Sequence, residues 1–466
     1  MPTYDEVVQE NSELRRRVAE QESRIEKQER RIAQLEKIIE DLRRGGKRQA
    51  APFSKGEPKS DPQRPGRKPA ERYGKPAGRA VPEAVDETIG VDGPVRCEVC
   101  SGPVRLAGEE RQYQIDLPEI RPRTTEFVLQ VNECTQCGYR MRGRHPRQTS
   151  PGVGAAGVQI GPGVISLAAF LNKVGGLSYG KITTVLEQMA GFRVARSTLC
   201  RALLRTATKS QPIYQELVET IRTSPVVYPD ESGWREGGTR AWLWAFTNGL
   251  ETVYSIARGR GFAEASAILG KEYAGTLVAD GWAPYRRFVH ARHQTCLAHL
   301  LRRCREMLEM AQGGAVRFPR RVQEILRAAL ALRDRRQAKA INPQNLQIAK
   351  GQLTAQMDQL LSGNFTHDGN RRLAKHLRCN REALFLFLDR EDIEATNWPA
   401  EHAIRPAVVN RKSCGGNRTR RGAEAQAVLM SLLRTFHQRG INSISAFTTL
   451  LRSPQVASYS DLLEPH

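Results

Sequence analysis

The stretches VVYPDESGWREGG, residues 226–238, and TLVADGWAPY, residues 276–285, decide how this chain is read. Each opens as a short apolar run rich in β-branched and aromatic residues, the pattern of a strand, and each run stops at an aspartate. The pattern predicts a first strand ending at Asp230, a turn over ESGWREGGTR (residues 231–240) and a return strand over AWLWAF (residues 241–246). A further strand is expected to end at Asp280 and Gly281. Neighbouring strands present their ends together, so two carboxylates fifty positions apart in sequence can stand side by side in space. Left alone they would repel, and one pKa would rise unless a divalent cation entered. Magnesium suits such a site: it takes carboxylate oxygens and keeps positions open for phosphate, as in two-metal chemistry at phosphorus. Taken alone, either aspartate reads better as a turn cap, a common role for aspartate.

A third stretch tips the balance. In NWPAEHAIRPAVVNRKSCGGNRTRRGAEAQ, Asn397, Glu401 and Arg405 fall at i, i+4 and i+8 of a helix opened near Pro399, and so are expected on one face. From His402 to Ala423 there is no acid, while Arg405, Arg411, Lys412, Arg418, Arg420 and Arg421 bring positive charge. The pattern reads as a metal-binding carboxylate beside a phosphate-binding surface.

The whole chain agrees with a polyanionic partner. Its 466 residues carry 72 Lys and Arg against 50 Asp and Glu, a formal charge of +22 that favours nucleic acid over a neutral small molecule. Length alone implies more than one domain. No apolar run approaches a bilayer span, and the start lacks the apolar segment of a secretory signal, so no membrane role and a cytoplasmic, nucleoid-associated location are expected. Nine cysteines without such a signal point to thiols or metal sites in a reducing compartment.

Ahead of the acids lie modules suited to assembly and DNA contact. Residues 1–44 read as a coiled coil: Asn11, Val18, Ile25, Ile32 and Ile39 occupy a positions with Leu14, Leu35 and Leu42 at d, a pattern that favours a parallel homodimer. Residues 45–82 hold seven Pro and six Gly with ten basic side chains, a disordered basic linker. Over 83–150, Cys97 and Cys100, then Cys134 and Cys137, form two CxxC pairs expected to close a structural zinc site. Residues 151–222 are expected to be helical. Within them, LSYGKITTVLEQMAGFRVARSTLCRALLRTA (177–207) resembles a helix-turn-helix, with Gly191 ending one helix and Ser197 capping the next. Arg196, Thr198 and Arg201 then stand at the leading end of a recognition helix.

Taken together, DESGW, ADGWAPY, CLAHLLRR and NWPAEHAIRP, followed by GAEAQAVLMSLLRTF and preceded by a zipper and cysteine pairs, resemble transposases of the insertion-sequence-66 family. The resemblance implies an α/β ribonuclease-H-like catalytic core, split as 223–300 and 386–440 around a helical insertion at 301–385, with a tail at 441–466. It implies a DDE triad of Asp230, Asp280 and Glu401 acting with Mg2+ or Mn2+, beside Zn2+ in the cysteine module. It further implies cleavage of DNA at the element's terminal inverted repeats and transfer of the strand to target DNA, with accessory proteins as further partners. Ser232 and His402 depart from the family's more usual threonine and arginine. Cys296 and His299, in CLAHL, have metal-ligand spacing but no second pair, and are expected to pack or to touch DNA. Two rival readings remain: a zinc-containing DNA-binding protein without catalysis, and a nuclease acting on RNA.

Overall fold

In the computed structural model, residues 9–10, 12–22, 25, 28–29, 80–310, 313–453 and 458–462 are described. The chain divides into two units, residues 1–118 and 119–466. In the first, residues 12–22 are helical, and Leu14 and Val18 of the expected heptads are exposed. Most of the expected coiled coil, and the linker as far as residue 79, lie outside the described residues.

The second unit begins with a small antiparallel pair, β1 (Val131–Glu133) and β2 (Arg140–Arg142). Four helices follow: α1 (Pro162–Lys173), α2 (Tyr179–Ala190), α3 (Arg196–Lys209) and α4 (Gln211–Thr223). The Ser178 side chain caps α2, and Gly191 ends it in the left-handed conformation (φ 60°) that glycine adopts without strain. Ser197 does not cap α3. The cap is Ala195, whose carbonyl accepts from Thr198 and Leu199, so the helix starts before the serine. Val194 and Leu199 join the core on either side of that start, and their burial sets the boundary in place of a side-chain cap.

The central sheet holds β3 (Val226–Glu236), β4 (Thr239–Thr247), β5 (Thr252–Ala257), β6 (Thr276–Ala279) and β7 (Arg292–Thr295), in the order β5-β4-β3-β6-β7. β3, β4 and β5 are antiparallel neighbours; β6 and β7 continue in parallel from β3. Helix α5 (Phe262–Leu269) links β5 to β6. The expected end of the first strand is corrected here: β3 runs on through residues 231–236, and the turn is only Gly237–Gly238, with φ of 58° and 82°. Two successive positive φ values make the tight turn whose twist suits a hairpin, and only glycine takes both without strain. Asp230 therefore stands inside a long strand, paired with Ala245.

After β7 come α6 (Leu297–Met310), α7 (Arg317–Gln337), α8 (Pro343–Leu361) and α9 (Asp368–Cys379), then α10 (Trp398–Cys414), α11 (Arg420–Gln438) and α12 (Ser443–Arg452). Strand alternation distributes these helices over two faces. Val227, Leu277, Trp244 and Phe246 share a core with α1 to α4, α11 and α12. Val226, Tyr228 and Val278 instead share one with Phe318, Val322, Leu326, Leu373 and Leu377 of the helical insertion. Leu243 and Ala245 pack on Ile404 and Ala407 of α10. The result is a mixed α/β fold with a five-stranded mixed sheet.

Candidate active site

Strand register brings the two aspartates together. Val226 pairs with Thr276 and Val227 with Leu277, and the same offset carried forward sets Asp230 level with Asp280. Asp230 follows Val226 and Tyr228 on alternate positions of β3, and Asp280 follows Val278, so both carboxylates belong to the face covered by the insertion. Their charges act on one another. Gly281 takes a left-handed turn (φ 83°), and Asp280 Oδ1 accepts from the Trp282 backbone N–H at 2.9 Å. Asp230 Oδ1 accepts from the Glu231 N–H, also at 2.9 Å.

Burial, and then the neighbouring Glu231 carboxylate, push the Asp230 pKa up to about 7; Asp280 adds to the rise, and His299 opposes it. Glu231 belongs to the opposite face. Arg260 holds it at 2.6 Å and the Tyr285 hydroxyl at 2.7 Å. The Arg260 guanidinium in turn lies over the rings of Trp242 and Trp282, at 4.7 and 4.2 Å. Trp234 and Trp244 are fully buried core residues.

Glu401 arrives in the first turn of α10, whose first turn also holds Pro399. Asn397 was expected on the same face as Glu401 and Arg405. Instead it is the buried N-cap residue, while the other two are exposed. Its Nδ2 donates to the Pro229 carbonyl at 2.8 Å, one residue before Asp230, and its backbone N–H donates to Cys296 Sγ at 3.1 Å. The Cys296 N–H is bonded to the Ala279 carbonyl at 2.7 Å, one residue before Asp280. Asn397 and Cys296 thus tie the start of α10 to both aspartate strands. Asparagine at a helix start was visible in sequence; its inward turn was not.

His299 stands in the first turn of α6. Its Nε2 lies 3.9 Å from Glu401 Oε1. The Cys296 thiol, and then the charges of Asp280 and Glu401, raise its pKa above the ordinary imidazole value. The histidine therefore stands beside Glu401. Carboxylate oxygens suit magnesium chemically, yet among the described residues no three His, Cys, Asp or Glu side chains are gathered as a metal-binding group.

The expected basic residues divide in two. Arg411 turns inward, donating to Ser232 Oγ at 3.0 Å and to the Gly233 carbonyl, and Arg420 is held by Glu236, Glu424 and the Ile256 carbonyl. Arg405, Lys412, Arg418 and Arg421 are exposed. So are Arg196, Thr198 and Arg201 on α3.

Each cysteine pair, taken by itself, forms the same turn. The Cys97 N–H bonds the Gly102 carbonyl and the Ser101 N–H bonds the Cys97 carbonyl; Cys134 repeats this with Tyr139 and Gly138. Ser101 and Gly138 are both left-handed, at φ 57° and 70°. Backbone N–H groups of the second cysteine and its predecessor lower the pKa of Cys97 and of Cys134, which favours thiolate.

A mixed five-stranded sheet with one acid in its central strand β3 and another just past the end of the adjoining β6 is compatible with a ribonuclease-H-like core. The chain belongs to the IS66 family of transposases: the family model described as "Transposase IS66 family" matches residues 157–425, more than half of the chain. No curated protein matches it. Among the described residues, no helix is long and apolar enough to cross a membrane.

Proposed function

We propose that this chain is a DNA transposase that binds the terminal inverted repeats of its element, cleaves there and joins the exposed strand to target DNA. The observation carrying the proposal is the common face of Asp230 and Asp280, with Glu401 reaching the same histidine. Asp230, Asp280 and Glu401 would hold Mg2+ or Mn2+, which when bound supplies positive charge to activate the attacking oxygen and to stabilise the leaving one. Asn397 positions the acids by fixing α10 on Pro229 and Cys296. Arg405 and Lys412, exposed on α10, would orient the phosphate backbone, with Arg418 and Arg421 extending the surface. Arg196, Thr198 and Arg201 would read the element's end from the leading turn of α3.

Zinc is proposed for the cysteine pairs on the strength of their spacing and of the thiolate-favouring turn in each. A homodimer through the N-terminal heptads, accessory proteins and a cytoplasmic, nucleoid-associated location complete the reading. The test is purified protein with magnesium and labelled duplex carrying the flanking inverted repeats. Cleavage by the wild type and none by Asp230→Ala, with end binding retained, supports the proposal. Equal cleavage by both refutes the assignment, and sequence-dependent binding untouched by magnesium leaves the non-catalytic reading standing.

A further inference from the structure

The helical insertion brings an array of arginines to the Asp280 side of the site. His299 and Arg303 are four residues apart on α6, and Arg372 and His376 are four apart on α9, so each pair lies along one helical face. The two faces meet: Arg303 feels the charge of Arg372, and His376 that of Arg303, Asp280 and Arg286. His376 closes on the catalytic loop so tightly that a side chain at Gly281 would stand 2.9 Å from the imidazole.

What distinguishes this array is its lack of acids. The insertion's other half-buried arginines have partners: Arg333 holds Asp334, and Arg336 donates to the Phe387 and Leu388 carbonyls; on the surface, Arg371 holds Asp368. Arg303 is half-buried, Arg372 and Arg286 are exposed, and none of the three side chains has a hydrogen bond or ion pair among the described residues. Burial, and then Arg372, hold the Arg303 pKa below its ordinary value. A fully exposed arginine needs no partner, since water screens it. A half-buried one beside a second guanidinium raises the energy of the free protein unless an anion arrives.

We infer that Arg303 and Arg372, with Arg286 at the rim, form a phosphate clamp by which the insertion grips the DNA backbone next to the cleavage position. The inference rests on the proposed reading in taking DNA as the polyanion. It adds that the insertion is a substrate-holding element, separate from the basic residues of α10. Phosphodiester oxygens fit because guanidinium groups offer paired donors to them, and the acids on the neighbouring strands leave the clamp free by serving a different partner.

Salt-dependent binding of full-length protein to a labelled duplex of arbitrary sequence, in magnesium-free buffer, tests this without cleavage. Each lost phosphate contact reduces the slope of log affinity against log salt by about 0.9. The double variant R303Q/R372Q should therefore lose about 2 from the slope and bind on the order of tenfold more weakly. R371Q, on the same helix but paired with Asp368, should leave the slope in place. The free R303Q protein should melt no lower than wild type, because a repulsion has been removed. An unchanged slope in the double variant, or an equal loss in R371Q, overturns the clamp; so does a lowered melting temperature with the slope intact, which would make Arg303 structural. Cleavage is scored separately: wild-type protein inactive with magnesium, but with a slope that falls in the double variant, sinks the catalytic reading and leaves the clamp.

Discussion

Asp230 and Asp280 reach their common face through strand register, whereas Arg303 and Arg372 reach theirs through helical spacing. Both groups set like charges side by side, the acids partly buried and Arg303 half-buried beside an exposed Arg372, and in both the cost is left standing in the free protein. They differ in sign and in what would relieve them: a cation for the acids, a phosphate for the arginines. The protein does not join the two sets as ion pairs. Keeping them apart preserves two separate electrostatic demands, which a metal-bearing DNA complex would meet together. Substitutions on the acid side should then change chemistry with little effect on binding, and those on the basic side the reverse.

The largest expected effect divides the two sets cleanly. Glu401 is partly exposed, its side chain 44% accessible, and ties down nothing beyond its contact with His299. Glu401→Ala should cost at least about 10²–10³-fold in magnesium-dependent cleavage, while unfolding free energy stays within about 0.5 kcal/mol of wild type. Duplex binding and its salt slope should not move. A cleavage rate within a few-fold of wild type would remove Glu401 from the site and end the symmetry between acids and arginines.

Asn397 tests whether the acids are held or merely adjacent. Asn397→Ala removes the bond to Pro229 and leaves that carbonyl buried without the amide, a loss of about 1–3 kcal/mol in stability. Cleavage should fall by about tenfold if α10 shifts relative to the aspartate strands, with the salt slope unchanged. Loss of stability with full activity would show that Asn397 only packs.

These two residues also mark what was legible in the sequence. The terminal aspartate of TLVAD, the proline-opened helix carrying Glu401 and the helix pair broken at Gly191 follow from local pattern, because strand composition, Pro in a first helical turn and a left-handed glycine act over a few residues. Asp230 stood out as a candidate, but its strand was cut short. The signal that locates the turn is Gly237–Gly238, while residues 231–236 look polar because partners supplied by the fold cover them: Glu236 is buried beneath Arg258 and Arg420, and Glu231 by Arg260. Ser197 leaves the cap and Arg411 turns inward for a similar reason. Capping propensity yields to the burial of Val194 and Leu199, and a basic residue in an acid-free run turns inward to the Gly233 carbonyl once β3 is its neighbour. The clamp was hidden altogether, since α6 and α9 meet only through the long-range packing of the insertion.

The smallest effect concerns the acids before any metal arrives. The folded pKa of Asp230 is about 7 against an ordinary 3.8, so between those values the native state binds more protons than the unfolded chain. Linkage then makes its contribution to stability fall as pH rises from about 4 to about 7 and level off above. Urea unfolding in magnesium-free buffer should show wild type losing stability over that window relative to Asp230→Asn. Glu231, raised in the same direction, leaves a residual slope in the variant. Added magnesium should restore stability at pH 8 to wild type and not to Asp230→Asn, because a carboxylate facing a cation no longer favours its proton. If the two proteins followed parallel pH profiles, like-charge crowding at the strands would be too weak to call for a cation, and the contrast with the arginine face would lose its acidic half.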